Sequence, residues 1–209
     1  RMATQSILMS PRFLFRLEQQ PAGIRNAAYR ISDADLASRL SFFLWGTVPD
    51  AELLRAASLG SLKTTAGIEK QVRRMLADQR SAALSTRFAS QWLRLQDLDK
   101  IFPDYLLYPQ YDDTLAKAMR KETELFFDSI VREDHSLFDL ISPDYSFVNG
   151  RLAIHYQIPN ITGPSFQRVT LPPYRRGLLG QGSILTLPSV ADRTSPVQRG
   201  KWVMEVLLA

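Results

Sequence analysis

Apolar residues recur along most of this chain with the 3–4 residue spacing of an amphipathic helix rather than the alternation of a strand. Ser10-Pro11 reads as a cap followed by proline in the first turn of a helix over Arg12–Gln19, which Pro21-Ala22-Gly23 ends. Ser32 is a strong N-cap with Asp33 and Asp35 behind it. The helix it opens places Leu36, Leu40, Phe43 and Leu44 on one stripe and ends near Gly46. Pro49-Asp50 starts a short helix to Leu59, closed by Gly60, and Thr65 starts another to Ala77. Ser81–Leu95 keeps Leu84, Phe88, Trp92 and Leu95 in register.

The aromatic and proline-rich stretch Ile101–Tyr111 has no period and reads as an ordered loop packed on the helices. Asp112-Asp113 then opens the longest helix, to about Arg132, with the stripe Leu115, Met119, Phe126 and Ile130. Shorter helices are predicted at Ser136–Ile141 and from Asn149 through Tyr156. Phe166–Leu171 alternates weakly, as one strand or extended segment. Arg176–Leu187 and Pro196–Leu208 read as helices, the second opened by Ser195-Pro196. With no internal repeat, the expectation is an all-α fold: a compact irregular bundle of about eight or nine helices, long ordered loops and at most one short strand pair.

Composition narrows the chemistry. The 209 residues carry 26 Lys+Arg against 21 Asp+Glu, a net charge of +5, with the basic residues in short pairs and never in a dense block. That balance argues against a nucleic-acid partner. No run of about 18 apolar residues is present, so no membrane-spanning segment is expected. The chain has no cysteine, which excludes disulfides, thiolate catalysis and Cys-based metal sites; a c-type haem, attached through C-x-x-C-H, has nothing to bond to. His135 and His155 are the two histidines, without H-E-x-x-H spacing, and no metal site is expected. His135 reads as a surface residue. His155, near a helix end, is suited as an imidazolium to the terminal carbonyls. Gly177, Gly180 and Gly182 lack the dinucleotide-binding spacing and read as close-packing positions. The start at Arg1 and the uncapped apolar run Val203–Ala209 suggest a segment of a longer polypeptide.

Two features stand out. Glu122 lies between Met119 and Phe126 on the apolar stripe, where an ionised carboxylate is costly unless paired. A cation on another helix is therefore expected, with Arg193 and Arg199 the leading candidates. The second feature is Arg193-Thr194-Ser195-Pro196-Val197-Gln198-Arg199-Gly200-Lys201-Trp202, a polar loop turning into a helix, with three cations and a tryptophan.

Ser32–Leu59, Val72–Leu95, Met119–Phe127, Asp144–Tyr156 and above all Arg193–Trp202 resemble domains of planctomycete-type cytochrome c proteins. By that resemblance, residues 1–187 form a central helical domain, and 188–209 form a linker and the first helix of a following domain, packed on the first. The resemblance implies extracytoplasmic (periplasmic) location, c-type haem in flanking parts of the full-length protein, and haem-bearing domains as partners. The C-x-x-C-H motif of the following domain is missing here, so haem attachment transfers to no residue. The function it implies is a scaffold or docking domain of an electron-transfer protein. In it, Glu122, His155, Tyr156, Arg193, Thr194, Ser195, Arg199, Lys201 and Trp202 would organise the junction with the haem-bearing part. The alternatives are an exported oxidoreductase or hydrolase using Glu122 and His155 as acid and base, and a binding module for an anionic partner carried by the basic residues.

Overall fold

The computed structural model describes residues 2–15, 18 and 28–208. The predicted helix end and break at residues 16–23 fall largely outside them. Ten α-helical segments occur among the described residues: α1 (Met2–Leu8), α2 (Pro11–Leu14), α3 (Asp33–Leu44), α4 (Ala51–Ser58), α5 (Thr65–Ala77), α6 (Ser90–Trp92), α7 (Asp113–Arg132), α8 (Gly150–Tyr156), α9 (Gly182–Thr186) and α10 (Pro196–Trp202). Several short 3₁₀ and π turns lie between them. One two-stranded antiparallel sheet, β1 (Tyr145–Val148) with β2 (Gln167–Thr170), completes the fold, which is predominantly helical as the periodicity predicts. Contacts divide the chain into one unit of residues 1–43 and 47–74 and another of residues 44–46 and 75–209.

In the first unit, Ser32 accepts from the Asp35 amide at the start of α3, as its sequence suggests. The buried face of that helix runs through Ala37, while Phe43, expected on the core stripe, is exposed. Asp50 caps α4 through the Leu53 amide, and Arg74 of α5 grips the same carboxylate with two bonds of 2.8 and 3.0 Å.

The second unit is built around α7. Asp112 caps it at the Leu115 amide, and Leu115, Met119, Phe126 and Ile130 are all buried, as the stripe requires. β1, α8 and α9 pack on this helix. In β1, Ser146 and Val148 face inward, and Arg168 of β2 lies over the Tyr145 ring. The region read as one helix, Ser81–Leu95, is a 3₁₀ turn, a π-helical turn over Leu84–Ala89 and then α6. It still delivers an aromatic cluster in which Phe88 and Trp92 stack and Phe127 meets both.

The single helix expected over Arg176–Leu187 is broken for a steric reason. Gly177 sits at φ +64°, and a Cβ there would lie 1.9 Å from the Ile141 carbonyl oxygen. Only glycine accepts that backbone and that approach. The chain therefore makes a 3₁₀ turn at Leu178–Gly180 before α9 begins.

Candidate functional site

Glu122 lies three residues beyond Met119 on α7, so its side chain enters the layer where β1, α8 and α9 meet that helix. It has no solvent-exposed surface. Ser146, inward-facing on β1, donates from Oγ to Oε1 at 2.7 Å, and Tyr156, the last residue of α8, donates to Oε2 at 2.6 Å. The Tyr156 hydroxyl accepts in turn from the backbone N–H of Gly182 at the start of α9, at 2.7 Å. A side chain at position 182 would fill this junction, since its Cβ would meet both Met119 Cε and the Tyr156 hydroxyl at 2.8 Å. Asn149 at the start of α8, bonded to the Leu152 amide, and Gln157 in left-handed conformation at its end fix the helix that presents Tyr156.

The electrostatics follow from burial. Desolvation raises the Glu122 pKa to about 7, against the opposing pull of the Tyr156 and Ser146 hydroxyls, the Arg175 charge and the Gly182 amide. Tyr156 is pushed well above its ordinary value, first by burial and then by the carboxylate beside it. The Arg175 guanidinium lies over the Tyr156 ring, 4.0 Å from its centroid. Next to Glu122 on α7, Thr123 Oγ1 meets Gln181 Oε1 at 2.7 Å and Ser183 Oγ at 2.6 Å, extending the buried polar layer along α9.

The cationic partner expected for Glu122 is not Arg193 or Arg199. Arg193 pairs with its neighbour Asp192 at 3.0 Å, and among the described residues no ion pair reaches Glu122. Two neutral hydroxyls satisfy the carboxyl oxygens without desolvating a second charge, which is the cheaper solution in a low-dielectric interior. Ser146 and Gly182, both part of this centre, were not legible as site residues. The signal for Ser146 was the alternation Tyr145-Ser146-Phe147-Val148, which turns it inward with Val148.

His155 precedes Tyr156 but faces elsewhere. It is half-buried, and burial, followed by Arg175 and Arg151, lowers its pKa. That shift favours the neutral imidazole over the imidazolium expected at a helix end. With Arg193 and Thr194 it lines a cleft of about 430 Å³ between the 103–111 connector and residues 185–194, walled by Leu107, Tyr108, Met119 and Leu185. Glu122 is not on that wall, so the two residues considered as acid and base do not share a cleft.

The rest of the 193–202 motif builds α10. Ser195 caps it at the Gln198 amide, Pro196 opens it, Lys201 reaches Glu205 at 3.7 Å, and Trp202 is buried. Arg199 Nε and Trp202 Nε1 are buried with no bonding partner among the described residues. Val206 beyond this helix accepts from Trp92 Nε1 at 2.7 Å. His135 is on the surface with Glu133, at 2.9 Å. No group of three His, Cys, Asp or Glu side chains suited to a metal occurs among the described residues, nor does any helix there have the length and apolarity to cross a membrane.

Residues 31–158 match the family described as PSD4, protein of unknown function (DUF1592), and residues 175–209 match PSCyt3, protein of unknown function (DUF1588). The first match covers more than half of the chain, which belongs to that family; both are planctomycete cytochrome c domain families. Comparison with curated proteins and with solved structures gave no match. A covalent haem does not fit this chain, because it offers no cysteine for a thioether.

Proposed function

We propose that this chain is an extracytoplasmic scaffold that docks the haem-bearing domains of its own multidomain, cytochrome c-associated protein. The observation that carries this reading is the connector after Lys100. Phe102, Tyr105, Leu106 and Leu107 are all more than half exposed, an apolar surface of a kind that marks protein contacts. The loop is nonetheless fixed, since the Asp104 amide donates to the Ala191 carbonyl at 2.8 Å and the Tyr108 hydroxyl to the Asp192 carbonyl at 3.2 Å. It is thereby tied to the segment leading into α10, within the stretch that matches PSCyt3. The same ties support residues 188–209 as the start of a following domain packed on residues 1–187. The sealed Glu122 centre fits a scaffold, in which a buried carboxyl joins β1, α8 and α9 to α7 instead of meeting a substrate.

Crosslinking of the intact, haem-bearing polypeptide with a lysine-reactive reagent tests this. Lys100 and Lys117 flank the connector and are exposed. Both should link to haem-bearing segments, and a variant carrying F102S and L106S should lose those links. Haem-segment links that map elsewhere, or persist unchanged in the variant, refute the docking face. Release of the polypeptide by osmotic shock checks the extracytoplasmic location.

A further inference from the structure

The cleft beside His155 has the makings of a ligand site next to the docking face, with which it shares Leu107. Its volume, about 430 Å³, falls in the range of small-molecule pockets. Its walls are largely apolar, with Leu107, Tyr108, Met119 and Leu185 among them; Tyr108 and Tyr111 give flat ring faces, and Pro103 and Pro109 add apolar C–H surface. Three polar groups converge on it with bonding capacity to spare. Among the described residues His155 makes no hydrogen bond, the Thr194 hydroxyl makes none, and Arg193 spends only Nη1, on Asp192, leaving Nε and Nη2 open.

The cleft is also preformed. The Asp104–Ala191 and Tyr108–Asp192 bonds hold its two sides together, and Val190 N–H donates to the Arg193 carbonyl at 3.0 Å, setting the loop that carries Arg193 and Thr194. Arg193 is the charged side chain among the cleft's lining residues. Burial first, and then the Arg175 and Arg151 charges, disfavour the His155 imidazolium, and the positive charge of those arginines favours an anion nearby. The open edge of a guanidinium suits a planar carboxylate.

We propose that this cleft binds a small ring-bearing carboxylate. Its apolar ring would pack among Leu107, Tyr108, Met119 and Leu185, and its carboxylate would meet Arg193 and Thr194, with neutral His155 giving one further N–H. The pairing of His155 with the first two residues of the 193–202 motif gives that motif a role beyond capping α10.

Titration calorimetry on the purified chain with sodium benzoate, against neutral benzamide, tests the proposal. Benzoate should bind saturably with a Kd of about 1 mM or tighter, a modest demand for nine heavy atoms. R193Q should weaken benzoate about tenfold or more, and benzamide should bind the unaltered chain about tenfold more weakly than benzoate, as for a charge-assisted contact. L185W, which fills the cleft, should abolish binding. V190W, at a more exposed position on the same wall, is the second blocker if L185W does not fold. The proposal is overturned if benzoate shows no saturable binding, if R193Q and benzamide match the benzoate result, or if binding survives in a folded blocker. Each of these outcomes leaves the crosslinking test of the docking face unaffected.

Discussion

Replacing Glu122 with glutamine removes the titration at the buried centre while keeping the side chain's shape. In the native chain the carboxyl holds its proton up to about pH 7, against an ordinary 4.5. Between those values the folded state binds more protons than the unfolded state, so stability falls as pH rises through this window and is flat above it. At 1.36 kcal/mol per unit, the shift corresponds to about 3 kcal/mol lost between pH 4.5 and 8. His155 acts in the opposite sense. Its lowered pKa makes the unfolded state the better proton binder just below 6.5, so its contribution rises with pH there. Tyr156, pushed upward, stays protonated throughout. The difference between native and E122Q profiles isolates Glu122, because the His155 contribution is common to both. At pH 4.5 E122Q should be equal to the native chain or about 1 kcal/mol less stable: the protonated carboxyl already needs one hydroxyl to turn and accept from it, and the amide brings a second N–H to the same buried place. By pH 8 E122Q should have gained about 3 kcal/mol relative to the native chain, roughly 6–12 °C in Tm for a chain of this size. Urea melts followed by circular dichroism at pH 4.5, 6, 7 and 8 measure this. Parallel profiles for the two proteins would refute the buried-carboxyl account.

Gly182→Ala should cost about 1–3 kcal/mol, because its Cβ would press on Met119 and the Tyr156 hydroxyl, and chemical denaturation reads the loss directly. Asp50→Ala removes both the α4 cap and the two hydrogen bonds that Arg74 donates, and should lower stability by about 1–2 kcal/mol, measured the same way. The purified chain, expressed with full cytochrome c maturation, should carry no haem after denaturing electrophoresis. A haem-stained band would contradict the absence of any thioether-forming residue.

What could be read from the sequence tracks how local the cause was. α7 was legible nearly residue for residue, because the Asp112 cap and the apolar stripe lie within one element. Glu122 was legible as buried for the same reason. Tyr156 was named in the same cluster through the family resemblance but not as its hydrogen-bond partner, and Ser146 was not named at all: they lie 34 and 24 residues away, and pairing was sought among charges when hydroxyls did the work. The break at Gly177 was hidden because its cause is the Ile141 carbonyl, a contact that only the folded chain makes. Leu44 of the expected α3 stripe is buried, but Phe43 is not, because the buried face runs through Ala37, Ser41 and Leu44. β1 escaped because four residues with an inward serine give too short an alternation to separate from loop.

The layout of the Glu122 centre also bears on the order in which the chain assembles. Ser146 and Tyr156 are 24 and 34 residues from Glu122, whereas Gly182 is 60 away, so closing α9 onto this centre carries the largest loop-closure cost of the three contacts. A chain that docks α9 after α7, β1 and α8 have come together takes much of the desolvation of Glu122 in that last step. An interaction completed after the rate-limiting step shows itself in the unfolding rate. Ionising Glu122 should accordingly hasten the opening of the native state far more than it slows the folding of the chain, making α9 a latch whose lifetime shortens as the solution turns alkaline.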